Sequence, residues 1–143
     1  MTAAKLPRHA AALRWLFVAL LAATGIAKLL DMAGFVAIVA SYRAIPVRLL
    51  GPSAWALTVT ELSLAAWLMW GHALSRAGAL LVALHALYLL WLLIALTRGL
   101  AIDNCGCFGV YFARPLTWFT PLEDMILLTG AWIFQRSARK AGP

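Results

Sequence analysis

The chain has 143 residues, of which 64% are hydrophobic and only 12% are charged. A soluble domain of this length cannot bury so large an apolar fraction, because small globular proteins keep much of their surface in water. The formal net charge of +7 does not indicate a nucleic-acid-binding protein, because the basic residues are scattered among apolar segments. The composition therefore excludes soluble enzymes, nucleic-acid modules and disordered tails, and it predicts a membrane protein whose main partner is the lipid bilayer.

Four segments approach the length of about 20 apolar residues that a transmembrane helix needs. They are predicted at residues 10–30, 53–70, 77–97 and 121–139. The second segment is expected to begin after a break at Gly51-Pro52. The fourth is long enough to span the membrane only if its acidic first turn and its basic last turn belong to the same helix. No internal repeat or domain boundary is evident, so the prediction is an all-α, integral membrane four-helix bundle formed by one domain, residues 1–143.

The first segment has an alternative interpretation as a secretory signal peptide. Basic residues precede it, and the small residues Ala22, Ala23 and Thr24 form a potential cleavage site. Apolar residues continue from Ile26 to Leu30, past this site, which favours a retained first span.

The charge distribution predicts how the bundle is oriented. One side carries basic residues and no acidic residue, namely Lys5, Arg8, Arg14, Arg76, Arg136, Arg139 and Lys140. All acidic residues fall in the other half, so the positive-inside rule places both termini in the cytoplasm. The connections at 31–52 and 98–120 are then outside, and the first is predicted to be a loop that lies in the membrane interface and roofs the bundle.

Both cysteines of the chain lie in one glycine-rich segment of the second outer connection, Cys105-Gly106-Cys107. Outside the cytoplasm the compartment is oxidising, which favours disulfides. A disulfide between Cys105 and Cys107 would close a small ring that demands unusual backbone torsions, and Gly106 tolerates such torsions. Strained, exposed disulfides are the reactive ones. We therefore expect Cys105 and Cys107 to be catalytic, as a reactive dithiol/disulfide, although a structural disulfide remains an alternative of little stabilising value.

A metal site is the other alternative for the same pair, because two thiolates can bind a soft ion such as Cu(I), Hg(II) or Zn(II). Further ligands are hard to find in the sequence. His72 is predicted on the inner side, and His85 lies near mid-membrane, where a packed, hydrogen-bonded core residue is the more common role. No metal-binding residue is therefore predicted.

Two ionisable residues, Lys28 and Glu61, fall inside predicted spans, where charge is costly and usually marks function. An ion pair between them is the least costly way to bury both, and it would hold a cation beneath the cysteines. A nearby cation lowers the pKa of a thiol and favours the thiolate. A purely structural pair, or snorkelling of Lys28 to the interface, is the alternative.

Acidic residues near the cysteines and at the start of the last segment suggest further roles. Thr120 and Glu123 fit a capping box with Pro121 at the first helical position. Asp124 is not needed for capping and is a candidate proton carrier at the outer mouth, while Asp103 is expected to tune the thiols or to cap their turn.

Several motifs together resemble the MauE family, within the broader DoxX-like group of four-helix membrane proteins. They are G-x-x-K-L-L-D at 25–31, Y-R-x-x-P at 42–46, Glu61, Arg98-Gly99 and, most specifically, C-G-C-F-G at 105–109. Two positions depart from the pattern expected for the family. Asn104 separates Asp103 from the first cysteine, and Glu123-Asp124 stands where an arginine-asparagine pair is expected.

The resemblance implies a multi-pass protein of the bacterial inner membrane that exchanges thiol/disulfide equivalents with a periplasmic thioredoxin-like protein. It also implies a client, a periplasmic disulfide-rich protein such as the small subunit of methylamine dehydrogenase, whose maturation the chain supports. DoxX-like kinship implies quinone as a candidate electron acceptor, although the sequence shows no quinone site and predicts no definite cofactor. The sequence leaves open whether the chain is a thiol-disulfide oxidoreductase, a soft-metal carrier or a non-catalytic assembly factor, and in which direction electrons flow.

Overall fold

The computed structural model describes residues 6–142, so Lys5 of the predicted basic side lies outside the described residues. Within that range the chain forms helices and no strand, which confirms the all-α prediction. The helices are α1 (Arg8–Leu30), α2 (Met32–Ser41), α3 (Val47–Trp70), α4 (Leu74–Thr97) and α5 (Phe119–Lys140). The four long helices coincide with the four predicted spans, whereas α2 occupies the first outer connection, which was predicted to be a loop.

The long helices bury four ionisable side chains and expose many large apolar ones. The helices bury Lys28, Glu61, His85 and Asp124. The exposed large apolar side chains include Trp15, Leu30, Val59, Leu80, Leu90 and Ile126. This distribution suits an apolar surrounding rather than water. By length and composition, α1 and α4 are apolar enough to cross a membrane.

The long helices pack as two pairs, α1 against α3 and α4 against α5, while α3 and α4 make few contacts with each other. The α4–α5 pair is close because Gly78 has no side chain, and a Cβ atom there would lie 3.0 Å from Cα of Gln135. Large apolar side chains fill the half of the bundle near the termini, including Phe17, Leu68, Leu81 and Phe134. The sparse α3–α4 contact leaves room for a cavity in the other half.

The start of α3 corrects the predicted break at Gly51-Pro52. The helix begins at Val47, preceded by Pro46 in an extended conformation (φ −56°, ψ 141°), and it continues through Pro52. A proline inside a helix removes the one hydrogen bond that its own backbone nitrogen would donate. Helix α3 is nevertheless continuous from Val47 to Trp70, so it is not broken at Pro52.

The other end of α3 is closed by a side chain from α1. Gly71 adopts a left-handed conformation (φ 77°), and its N–H donates to the Trp67 carbonyl oxygen. Arg14 donates from Nε to the Leu68 carbonyl oxygen at 2.6 Å and from Nη2 to that of Met69 at 2.9 Å. A residue predicted only as an orientation signal therefore also satisfies the last carbonyl groups of α3.

The predicted capping box at Thr120 and Glu123 is wrong. Helix α5 begins at Phe119, one residue before Thr120, and no side chain caps it. Glu123 instead accepts a hydrogen bond from Nη2 of Arg114 at 2.9 Å. The guanidinium group offers the carboxylate a charged partner, which a backbone N–H does not.

Candidate functional site

The two cysteines lie in the connection between α4 and α5, which is folded against itself by backbone hydrogen bonds. The Cys105 N–H donates to the Arg114 carbonyl oxygen at 2.8 Å, and the Leu116 N–H donates to that of Ile102 at 2.8 Å. The segment between these two bonds therefore forms a closed loop, the cysteine loop, defined here as residues 102–116.

Asn104 fixes the turn that carries the thiols. Its Oδ1 accepts the Gly106 N–H at 2.9 Å, and its Nδ2 donates to the Gly109 carbonyl oxygen at 3.0 Å. An asparagine side chain can replace a backbone partner in this way across a tight turn. Asp103, which was expected to cap the turn or tune the thiols, is exposed beside it. The capping role belongs to the residue that departs from the family pattern.

Two glycines allow the cysteine loop to sit closely on α1 and α2. Gly109 has φ +59°, and a Cβ atom there would lie 3.1 Å from the Ala27 carbonyl oxygen of α1. Gly106 has φ +81°, and its Cβ would lie 2.8 Å from Cγ2 of Ile38 in α2. Both positions require the left-handed conformation that glycine adopts at little cost, and a side chain would push the loop off its support.

A tyrosine and an arginine hold the loop from the side of α2. The Tyr42 hydroxyl donates to the Cys105 carbonyl oxygen at 2.8 Å. Arg98 donates to the backbone carbonyl oxygens of Tyr42 at 3.1 Å and Arg43 at 3.2 Å. Burial and the nearby thiols raise the pKa of Tyr42, so its hydroxyl remains a donor.

The thiols form a hydrogen-bonded pair. The two Sγ atoms are 3.0 Å apart, beyond the length of about 2.05 Å of a disulfide bond. Cys107 is exposed and Cys105 is half-buried. The hydrogen bond from Cys107 lowers the pKa of Cys105 to about 6, although burial opposes this, and the charge of Arg114 adds a smaller lowering. Donating that bond raises the pKa of Cys107. Near neutral pH, Cys105 is therefore the thiolate and Cys107 keeps its proton.

Lys28 of α1 and Glu61 of α3 form an ion pair in the bundle interior. Nζ lies 2.6 Å from Oε1 and 2.7 Å from Oε2, and the two side chains are 3% and 2% exposed. Thr24 donates to Oε2 at 3.4 Å, and the Tyr88 hydroxyl of α4 donates to Oε1. The charge of Lys28 lowers the pKa of Cys107, but the hydrogen bond with Cys105 and burial raise it by more.

A second buried polar pair joins α4 to α5. Nδ1 of His85 lies 2.8 Å from Oδ1 of Asp124. The histidine ring packs against the rings of Phe17, at 5.6 Å between centroids, and Tyr88, at 6.0 Å. His85 is thus the hydrogen-bonded core residue that was expected. Asp124 is buried, so it does not lie exposed at an outer mouth.

The cysteine loop, the ion pair and the His85–Asp124 pair all line one cavity of about 550 Å³. Its wall is mainly apolar, from residues such as Leu20, Leu57, Leu84, Trp91, Phe108 and Leu127. No group of three or more histidine, cysteine or acidic residues suited to a metal occurs in the part of the chain that the structure describes.

The sequence did not predict the contacts that Tyr88, Arg114 and Asn104 make at the site. Tyr88 had a usable signal, because His85 and Tyr88 are three residues apart and so share one face of an otherwise apolar helix. Arg114 carried no such signal, because it comes near Cys105 only when the loop folds back and its carbonyl oxygen accepts the Cys105 N–H.

The apolar exterior, the buried charges and the neighbouring thiols at one end of the helices are typical of a membrane protein, and in this one the two thiols lie side by side. The family model described as methylamine utilisation protein MauE matches residues 7–135, and the chain belongs to this family. Membership supports a membrane location and a link to methylamine utilisation. No curated protein and no solved structure gives a significant match.

We expect Glu61→Gln to lower the free energy of unfolding by about 3–5 kcal/mol, because it leaves the Lys28 ammonium group buried without a counter-charge. The double variant Lys28→Met with Glu61→Gln should recover part of this loss, because no charge is then left unpaired. Unfolding in detergent micelles, followed by circular dichroism, measures both.

The exposed Arg114–Glu123 pair is the matched control for this cycle, with side chains 49% and 45% exposed. The same changes there, Arg114→Met and Glu123→Gln, should cost no more than about 1 kcal/mol each. Equal and additive losses at the two pairs would contradict the structural role of the buried pair.

We expect Cys107→Ala to raise the pKa of Cys105 from about 6 towards the ordinary thiol value of ~8.5, because alanine cannot donate to the thiolate. Cys107→Ser should give an intermediate value, since a hydroxyl group can still donate. The pH dependence of the rate at which iodoacetamide alkylates the reduced protein measures each pKa. An unchanged midpoint in Cys107→Ala would show that the thiol hydrogen bond does not control Cys105.

Proposed function

We propose that α1, α3, α4 and α5 cross the bacterial inner membrane, with both termini in the cytoplasm and the cysteine loop in the periplasm. The basic residues near the termini and in the α3–α4 connection support this orientation through the positive-inside rule. The acidic side chains of α3 and α5 are buried and paired, Glu61 with Lys28 and Asp124 with His85. This burial supports the proposal that α3 and α5 cross the membrane.

We propose that the protein exchanges thiol/disulfide equivalents through Cys105 and Cys107. The observation that carries this proposal is the thiol pair itself, with Sγ atoms 3.0 Å apart and an acidic thiol next to an exposed one. Because the sulfur atoms are already close, exchange with the disulfide of a partner can convert this dithiol into a disulfide, and the partner then takes up the two electrons and two protons that the thiols lose. The surrounding loop is held by Asn104, Tyr42 and Gly109, so it presents the pair in a defined geometry.

The exchange step follows from the different surroundings of the two sulfur atoms. In the oxidised form, a partner thiolate attacks Sγ of the exposed Cys107, and the Cys105–Cys107 bond breaks. The electron pair of that bond leaves on Cys105, because the thiol of lower pKa is the better leaving group. The product is a mixed disulfide between the partner and Cys107. A second thiol of the partner then attacks the mixed disulfide, which releases the reduced Cys105–Cys107 pair and leaves a disulfide in the partner. The same steps in reverse order reduce a disulfide of the partner.

We propose a periplasmic thioredoxin-like protein as the partner, acting in the maturation of disulfide-rich clients such as the small subunit of methylamine dehydrogenase. Family membership supports the link to methylamine utilisation. The exposed cysteine supports direct contact with a folded partner, because Cys107 needs no opening of the loop to be reached. A soft-metal carrier or a passive assembly factor has less support, since neither role uses the difference between the two thiols.

For the topology, we expect a membrane-impermeant maleimide to label the pair Cys105 and Cys107 in intact cells after mild reduction. The pair should face the periplasm, and the double variant Cys105→Ser with Cys107→Ser should lose this labelling. Gel shift of the tagged protein measures the labelling. If the reagent reacts only after the cells are lysed, the orientation proposed here is wrong.

For the exchange, we expect the reduced Cys105→Ser protein to form a stable mixed disulfide through Cys107. The probe is a single-cysteine thioredoxin activated with thionitrobenzoate, and the protein is the full chain in nanodiscs. The wild type should form this adduct only transiently, because Cys105 attacks it, closes the internal disulfide and releases thioredoxin. Non-reducing gels and mass spectrometry follow the products.

The double variant Cys105→Ser with Cys107→Ser is the control and should form no adduct. In cells, it should also lose client maturation to the same extent as a deletion of the chain. Full client maturation in the double variant would disprove the proposed exchange, whatever the purified protein does.

A further inference from the structure

The cavity beneath the cysteine loop has a mouth in the apolar surface between α3 and α4. Ala56 and Thr60 of α3 and Leu87 of α4 line the cavity, and the same residues are exposed on the outside of the helices. These positions lie within the long helices that we propose to cross the membrane. The mouth is therefore continuous with the surface that faces the lipid chains, and a chain in the bilayer can enter the cavity sideways.

The cavity reaches from the cysteine loop deep into the bundle. Leu20 and Lys28 of α1 both line it, and a rise of about 1.5 Å per residue places them roughly 12 Å apart along the helix axis. Leu84 of α4 and Leu127 of α5 line it together with Leu20. An elongated space with apolar walls suits a hydrocarbon chain better than a compact polar molecule.

The ion pair in the inner wall is already satisfied within the protein. Both carboxylate oxygens of Glu61 accept hydrogen bonds from Nζ of Lys28. Thr24 and Tyr88 donate to the same carboxylate. Breaking a buried ion pair to bind a polar ligand is unfavourable, because it leaves a charge without its partner. This part of the wall therefore favours an occupant that needs no hydrogen bond.

The outer rim of the cavity differs from the interior, because it carries an accessible positive charge. Arg114 and Glu123 both line the cavity, and their side chains are 49% and 45% exposed. Nη2 of Arg114 donates to Glu123 at 2.9 Å, and a guanidinium group has further N–H donors for a second anionic group. Guanidinium groups bind carboxylate and phosphate groups particularly well. The rim thus complements an anionic head, whereas the interior complements a chain.

We propose that this cavity binds an anionic amphiphile of the membrane, with one acyl chain in the interior and a carboxylate or phosphate group at Arg114. The volume of about 550 Å³ lies within the range of roughly 300–1,000 Å³ typical of small-molecule sites. Cys105 and Cys107 line the same cavity, so the bound chain lies against the inner face of the cysteine loop. This inference rests on the proposed crossing of the membrane and does not depend on thiol exchange.

Binding can be measured through Trp91, which lines the cavity, because bromine atoms on a lipid chain quench tryptophan fluorescence on contact. The full chain in nanodiscs of unbrominated phosphatidylcholine is titrated with dibromostearate or, in a second arm, with dibrominated phosphatidylglycerol. The two arms distinguish a fatty acid from an anionic phospholipid as the source of the head group. We expect a saturable loss of fluorescence with at least one probe, and Trp91→Phe should remove this saturable part.

The rim is tested by two changes that should act in opposite directions. Arg114→Met should weaken binding by at least about tenfold, because the anionic head loses its charged donor. Glu123→Gln should strengthen binding, because it removes the carboxylate that competes for Arg114. A general disturbance of the cysteine loop would weaken binding in both variants. Arg48→Met is the control and should leave binding unchanged, since Arg48 is exposed and is not among the residues that line the cavity.

Two exposed residues of α3 give a matched pair of variants for the mouth. Ala56 lines the cavity, whereas the neighbouring Val59 is not among the lining residues. Ala56→Phe should weaken binding by at least about tenfold, since the larger side chain fills the mouth. Val59→Phe should leave binding unchanged.

Dibrominated phosphatidylcholine has the same chains and a zwitterionic head, so it separates binding at the site from ordinary contact with lipid. Quenching of equal strength by this lipid and by both anionic probes would overturn the site, and so would equal effects of Ala56→Phe and Val59→Phe. If thioredoxin exchange proceeds in the same nanodiscs while neither anionic probe quenches Trp91, this inference fails and the proposed function stands.

Discussion

The buried ion pair between Lys28 and Glu61 is the constraint on which the arrangement of the helices depends. Removing two charges from water costs several kcal/mol for each, and only a close, well-bonded partner offsets that cost. Lys28 belongs to α1 and Glu61 to α3, so the pair fixes how far one helix is shifted along the other. Tyr88 adds α4 to the same point through its hydrogen bond to Glu61. Three of the long helices therefore meet at one polar centre inside an apolar bundle.

The cysteine loop depends on this centre for its position. Gly109 rests on the backbone at Ala27 and Lys28, so the part of α1 that holds the ion pair also supports the loop. The thiol–thiol hydrogen bond is the main cause of the low pKa of Cys105, and the charge that adds to it is that of Arg114, not that of Lys28. The ion pair thus contributes to the chemistry by placing the thiols over the cavity rather than by acting on them as a cation.

Helix boundaries show where local sequence signals were misleading. Gly51-Pro52 predicted a break, yet α3 begins at Val47 and continues through Pro52, which lies in the second turn of the helix. Thr120 and Glu123 matched the spacing of a capping box, but Arg114, which follows the cysteines along the chain, offered Glu123 a charged partner. Each pattern describes only what its own residues prefer, and at Glu123 a competing partner from another segment decided the outcome.

The sequence by itself determined the all-helical class, the positions of the long helices and the presence of an adjacent thiol pair, because these follow from composition, apolar run length and covalent spacing. It also indicated that Lys28 and Glu61 would pair, since an apolar chain offers buried charges few alternatives. The tertiary structure alone decided that His85 meets Asp124, that Arg14 closes α3 and that one cavity joins both polar pairs to the cysteines. These contacts join residues far apart in the chain, and they exist only because α1 packs on α3, α4 packs on α5, and the two pairs leave a gap between them.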